Sequence, residues 1–311
     1  MKKICSAFLA ILLVFTFTAC SNEFTENNTA TQNEAVQTTD ASVQTQPSVQ
    51  EHWEWQKDLP ENQGFDASIL DDVHSTFDTF PLLASVIVKN GFIIDEYYKD
   101  GYDENSLFLL HSASKSVTSA IVGIAIEEGY IESIDAPISI YFPQLLERTD
   151  ERWQRITIRH LLTHTSGIDC DDTIYEDGWR SSDNWVDFVL DRPMLYEPGE
   201  VFQYSTGNTH LLSYIVQIAT GQTLYEYGKE KLFDPLGMDS VMIDADPQGI
   251  SDGGDGIHMN IYDFAKFAQL YLNGGSWQGN QIVPADWVEA STSLQFDRSS
   301  GSADYGYQWW V

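Results

Sequence analysis

The 311 residues are 42% hydrophobic and 13% aromatic, enough to bury a large core, and that balance excludes wholesale disorder. Forty-seven acidic side chains against 16 basic ones give a formal net charge of -31, which speaks against nucleic acid and anionic membrane surfaces as partners.

In chain order, "MKKICSAFLAILLVFTFTAC" sets two lysines before an apolar run over residues 7–17, with small residues just before Cys20. That is the layout of a secretory signal over residues 1–20, with an apolar part too short for a dependable membrane span. Thr18-Ala19-Cys20 resembles a lipobox, with Phe17 where Leu is usual. The resemblance implies lipidation at Cys20 and an exported lipoprotein, anchored in the membrane at the cell surface or in the periplasm. Residues 21–50 are Thr, Gln, Asn, Ser and Glu with few large apolar side chains, so they cannot repay their ordering entropy and read as a disordered tether. The folded domain is expected over 51–311. The other cysteines are Cys5, inside the signal, and Cys170, in "GIDCDD"; no disulfide is expected, and Cys170 reads as structural.

"ASVIVKNGFIIDEYY" holds two apolar runs joined by Asn90-Gly91, which predicts a hairpin with strands at about 83–89 and 92–98. A buried helix follows, closing near Gly129. From 130 to about 250 the pattern is mostly helical: "TIRHLLTHTSG" ended by Gly167, "NWVDFVLD", "THLLSYIVQIATG" stopping at Gly221, and "TLYEYGKEKLFDPLG" broken by Pro235. "NIYDFAKFAQLYLNGG" is amphipathic, "PADWVEAST" is a shorter helix, and "YGYQWWV" reads as the start of a strand. Strands, then helices, then helix plus strand imply an α/β unit interrupted by an all-α insertion.

Within "LLHSASKSVTSAIVGIA", Ser112, Lys115, Ser116 and Ser119 follow i, i+3, i+4, i+7 and are expected on one helix face. A lysine in such an apolar helix needs a partner, and Ser112 one turn back supplies it. Desolvation would lower the lysine pKa and let it help take the serine proton. Ser112 near the helix N-terminus also lies where negative charge is favoured. In "EPGEVFQYSTGN", Tyr204 stands at a loop-to-helix junction among hydroxyls and an amide.

With "LLTHTSG" between them and "GIHMNIYDFAKFAQLYLNGG" after them, these stretches resemble the serine hydrolases built on the class C β-lactamase fold. That family includes esterases, D-amino-acid peptidases, 6-aminohexanoate-dimer hydrolases and β-lactamases, and the resemblance runs from about residue 60 to 311. It implies an α/β, β-lactamase/transpeptidase-like fold: an antiparallel sheet flanked by helices, with an all-α insertion at about 130–250. It further implies that Ser112 is the acylated nucleophile, that Lys115 tunes it, and that Tyr204 is general base and proton donor with a phenol pKa lowered by Lys115. The Ser112 N–H would form half of an oxyanion hole. The family often places Asn two residues after the tyrosine; here that residue is Thr206, with Asn208 further on, which weakens a true β-lactamase reading. The family's third motif, a Lys-Thr-Gly or His-x-Gly strand, falls after a stretch like "YGYQWWV". The expectation is therefore of a C-terminally truncated chain, with the last strands beyond Val311.

His111, Thr206, Asn208 and Trp179 are the candidate substrate-binding residues, and Trp185 and Tyr196 could line the same pocket, though core packing is the favoured reading of the aromatics. His160 and His164 lie four apart but lack a fitting carboxylate for zinc, and Asp244, Asp246 and Asp255 only loosely follow a calcium loop. No metal or organic cofactor is implied. The expected activity is hydrolysis of a small-molecule ester, amide or peptide through an acyl-enzyme. The alternatives are a β-lactamase or penicillin-binding DD-carboxypeptidase, or a non-catalytic sensor or inactive fragment on the same scaffold.

Overall fold

The computed structural model describes residues 53–77, 79–298 and 303–311. The signal, the Cys20 lipidation site and the tether lie outside the described residues.

The chain enters through β1 (Gln56–Lys57) and α1 (Ala67–Phe77), then forms the hairpin β2 (Ala84–Lys89) and β3 (Phe92–Tyr98). Asn90 (φ 52°) and Gly91 (φ 83°) are both left-handed, the backbone that a tight two-residue hairpin turn requires. β2 and β3 pair antiparallel from Ala84 opposite Tyr98 to Lys89 opposite Phe92, with an irregularity at Ile87/Val88. The antiparallel expectation fails at one edge: β1 runs parallel to β3, in the order β1-β3-β2. α1 and β2 carry the chain back before β3 begins, so β1 and β3 can point the same way.

Next come β4 (Phe108–Leu109), a short 3-10 turn at His111–Ala113, and α2 (Ser114–Glu127). From Ser114 to Ala125 every α2 residue except Ser116 is buried, so the helix runs through the core rather than along it. Gly123 makes this possible: a Cβ there would come within 2.5 Å of the Trp287 ring.

The helical middle contains α3 (Ile158–Leu162), α4 (Trp185–Leu190), α5 (Thr206–Thr220), α6 (Leu224–Gly228) and α7 (Asp234–Leu236), with 3-10 turns between the earlier ones. α3 stops at Leu162, before the expected Gly167. α5 starts on Ser205, whose side chain accepts from the Asn208 N–H, and ends on left-handed Gly221 (φ 75°). Pro235 does not break the next helix; a π-helical turn at Lys229–Phe233 leads directly into α7, where Pro235 occupies the first turn and needs no N–H.

β5 (Met242–Ile243) and β6 (Ile257–Met259) return to β4, in the antiparallel order β4-β6-β5. α8 (Ile261–Leu272), the small hairpin β7 (Ser276–Trp277) and β8 (Asn280–Gln281), and α9 (Ala285–Ser291) complete the elements. The strand expected in "YGYQWWV" does not form. Tyr305 makes isolated bridges to Phe296 and Trp310, and the Gly306 N–H donates to the Trp309 carbonyl at 2.8 Å. Left-handed Gln308 (φ 62°) folds the segment back, because its buried carboxamide donates to the Leu161 and Leu162 carbonyls at 3.1 and 2.9 Å.

Candidate active site

Ser112 sits where β4 gives way to α2. The Leu110 N–H donates to the Ile257 carbonyl at 2.8 Å, His111 takes a left-handed backbone (φ 47°), and the chain turns Ser112 to a half-buried position. The start of α2 is pinned behind it: the Ile257 N–H donates to Ser114 Oγ at 3.2 Å and Thr118 Oγ1 to the Gly253 carbonyl at 2.7 Å.

Lys115, one turn on, is 1% exposed. Its Nζ donates to Ser112 Oγ at 3.2 Å, Thr206 Oγ1 at 3.0 Å and the Gly254 carbonyl at 2.8 Å, three acceptors for three protons. Burial pulls its pKa down to about 8, Asp172, Asp255 and Asp252 work against that, and Arg180 adds to it. Of the four residues expected on one face, only Ser112 and Lys115 join: Ser116 Oγ donates to the Gln308 carbonyl at 2.9 Å, and Ser119 is wholly buried.

The Gly254 carbonyl reaches Lys115 because "DGGDG" lies flat against two helices. A Cβ on Gly254 would meet Thr206 Cγ2 at 2.6 Å, and one on Gly253 would meet Thr118 Oγ1 and Ser213 Oγ at 2.4 Å. Gly254→Ala should therefore push Thr206 off Lys115, lowering stability by about 1–3 kcal/mol and ester turnover at least about tenfold. Thermal melts and rates measured together check this, and a variant matching the parent in both contradicts it. The aspartates weighed for calcium have other partners. Asp246 pairs with His210 at 3.0 Å, Asp244 with His258 at 3.0 Å, and Asp255 with Arg180 at 3.1 Å.

Tyr204 lies just before α5 with its ring under Lys115, Nζ standing 4.9 Å from the ring centroid. The expected lowering of its phenol pKa is overturned. Burial raises it far above the ordinary tyrosine value, and a hydrogen bond with Ser112 only partly opposes this. Lys115 faces the ring rather than the hydroxyl and is itself easily neutralised, so it does not stabilise a phenolate.

Thr206 belongs to the site, but as an acceptor for Lys115, with its N–H donating to Asp172 Oδ1 at 2.7 Å. Asn208 does not: it is 1% exposed, and its Oδ1 accepts from Ser166 Oγ at 3.0 Å. Trp179 is fully buried; its Nε1 donates to the Trp185 carbonyl and its ring packs 4.8 Å from the Trp185 ring, so both tryptophans are core. His111 stays exposed beside Ser112 with Nδ1 3.6 Å from Asp255. Cys170 is buried against Ser205 at 3.2 Å, and burial pushes its thiol up to about 12. His160 caps α3, its Nδ1 accepting from the Thr157 N–H at 3.1 Å. Among the described residues no group of three or more His, Cys, Asp or Glu is arranged to hold a metal ion.

The sequence reading missed Asp172, Arg180 and Gln308. Arg180 donates to Asp252, Asp255 and the Tyr175 hydroxyl and stacks on Trp185 at 4.4 Å from the ring centroid. A cation beside two tryptophans in "GWRSSDNW" was the available sign. Gln308 accepts from Thr209 Oγ1 at 2.7 Å and so ties the C-terminal turn to α5 and α3; nothing in its sequence context marks it.

A family model described as Beta-lactamase matches residues 78–311. The chain is 26% identical over 254 residues to 6-aminohexanoate-dimer hydrolase of Paenarthrobacter ureafaciens, covering 73% of this chain and 63% of that protein. It is 31% identical over 161 residues to esterase EstB of Burkholderia gladioli, covering 47% and 41% respectively. The solved structure of a putative 6-aminohexanoate-dimer hydrolase from Bacillus anthracis superposes with a TM-score of 0.66 at 24% identity, over 79% of this chain and 67% of that one. That last likeness shows the fold. The chain spans less than two thirds of the length of the first of these curated relatives.

Proposed function

The chain belongs to the Beta-lactamase family, and on that premise we propose that it is a serine hydrolase cleaving an ester or amide through an acyl-enzyme on Ser112. The observation that carries this reading is the buried Lys115 Nζ, 3.2 Å from Ser112 Oγ and near neutrality at mildly alkaline pH. The family's esterase and amide-hydrolase relatives support it.

As Lys115 loses a proton it keeps two N–H groups for Thr206 and Gly254 and turns its lone pair to Ser112, the longest of its three contacts. Ser112 Oγ then attacks the acyl carbon while its proton passes to Nζ. Tyr204, held protonated by burial, donates to the departing oxygen or nitrogen as the acyl bond breaks. The proton gained by Lys115 returns to Tyr204 through the water that replaces the leaving group, so both residues start the second step as they began the first. Water then attacks the acyl-enzyme and frees the acid, returning the proton to Ser112.

The sign of the pH dependence follows. The reactive form of Lys115 is the neutral amine, so kcat/KM should rise with pH through about 8 and level off above it. A profile flat from about pH 6 to 9 would remove Lys115 from the base role.

Labelling by a fluorophosphonate, mapped to Ser112, tests the reading against a non-catalytic scaffold. Nitrocefin turnover and labelling by a fluorescent penicillin test it against a β-lactam-directed enzyme. Ester or amide hydrolysis is favoured because Thr206 is held by Lys115 and Asn208 by Ser166, so neither stands free for a β-lactam amide.

A further inference from the structure

His164 combines two features that each cost stability with an aromatic setting that does not need them. Its backbone is left-handed (φ 55°), a conformation uncommon for residues with a Cβ, though histidine takes it more readily than most. Its ring is wholly buried, and among the described residues neither Nδ1 nor Nε2 has a hydrogen-bond partner. The space is aromatic, with ring centroids 4.7 Å from Tyr204, 5.1 Å from Tyr305 and 6.0 Å from Phe202, so a phenylalanine would fill it without orphaned nitrogens.

The same turn holds the tyrosine from the backbone side. The His164 carbonyl accepts from the Gln203 N–H at 2.8 Å, and the Gly199 N–H donates to the Thr165 carbonyl at 2.8 Å, fastening the approach to Tyr204 along residues 164–165. Burial and the nearby Lys115 charge push the imidazole well below its ordinary pKa, so it stays neutral.

Strain and unpaired polarity gathered on a residue in contact with the proton-donating tyrosine point to a use in turnover rather than in folding. We infer that His164 is a positioning residue for Tyr204: its ring, packed with its centroid 4.7 Å from that of the phenol, fixes it, and the one N–H of the neutral imidazole, unpaired among the described residues, serves the negative charge that develops when the phenol gives up its proton. This rests on the acyl-enzyme reading above.

The test compares the full chain, His164→Phe, His164→Gln and Ser112→Ala by thermal melting and by kcat and KM on an alkyl ester, whose departing alkoxide must take up a proton. His164→Phe should melt no lower than the parent, because it loses two orphaned nitrogens, yet its kcat should fall at least about tenfold with KM within about threefold. His164→Gln, which keeps polar atoms at the position, should recover part of that kcat. Wild-type kcat in His164→Phe overturns the inference, as does a melting temperature that falls in step with kcat, or a Gln variant slower than the Phe variant. Turnover that survives in Ser112→Ala, or is absent from the parent, counts instead against the acyl-enzyme reading. The melting comparison still judges His164 in that case: a marked drop in His164→Phe makes the imidazole a purely structural residue.

Discussion

Ser112→Ala is expected to abolish p-nitrophenyl ester hydrolysis, a loss of at least about a thousandfold in kcat, with little change in melting temperature. Ser112 is half-buried, and its hydroxyl accepts one of the three bonds from Lys115. Losing that bond leaves Nζ two acceptors, Thr206 and Gly254, and access to the cleft, so the cost in stability is about 1 kcal/mol or less. Ser112, by contrast, has no substitute among the described serines beside it: Ser114 Oγ is occupied by the Ile257 N–H and Ser116 Oγ by the Gln308 carbonyl. Near-normal turnover in this variant would end the assignment. Fluorophosphonate labelling should vanish with it.

Lys115→Met should come next, with a loss of about a hundredfold to ten-thousandfold in turnover, the range ascribed to a general base. Methionine fills the same unbranched volume, so the helix core should persist. The variant leaves the Gly254 carbonyl and Thr206 hydroxyl without their cationic donor, while Asp252 and Asp255 keep Arg180. The decisive readout is the pH profile. If Lys115 is the group titrating at about 8, the limb through that pH should disappear from the residual activity. A residual profile that keeps the limb would assign it to another group.

Much of this was legible in the chain itself. The hairpin came from Asn90-Gly91, since few dipeptides accept two left-handed residues in succession. Ser112 and Lys115 came from a three-residue spacing, because one helical turn fixes both ends of that contact. The downward shift of Lys115 followed from placing an ammonium in an apolar helix. Tyr204 was placed beside them by resemblance, and its ring does lie under Lys115.

What misled was local pattern without its surroundings. "YGYQWWV" has strand-forming residues, yet Gln308 binds two α3-end carbonyls and turns the chain. Asn208 is close to Thr206 in sequence, but two helical steps carry it to the other side of α5, into the core toward Ser166. The phenol pKa of Tyr204 shifts opposite to the expectation because burial of the hydroxyl, which local sequence does not show, sets its direction.

The sequence by itself determined the pairing of Ser112 with Lys115 and the family, because these depend on contacts within one helical turn and on ordered motifs. Only the tertiary structure decided what sets the lysine's charge: the Gly254 carbonyl, the carboxylates of Asp172, Asp252 and Asp255, and Arg180 arrive from segments 57 to 140 residues away. Electrostatics falls with distance through space, not along the chain, so no reading of local spacing could supply them.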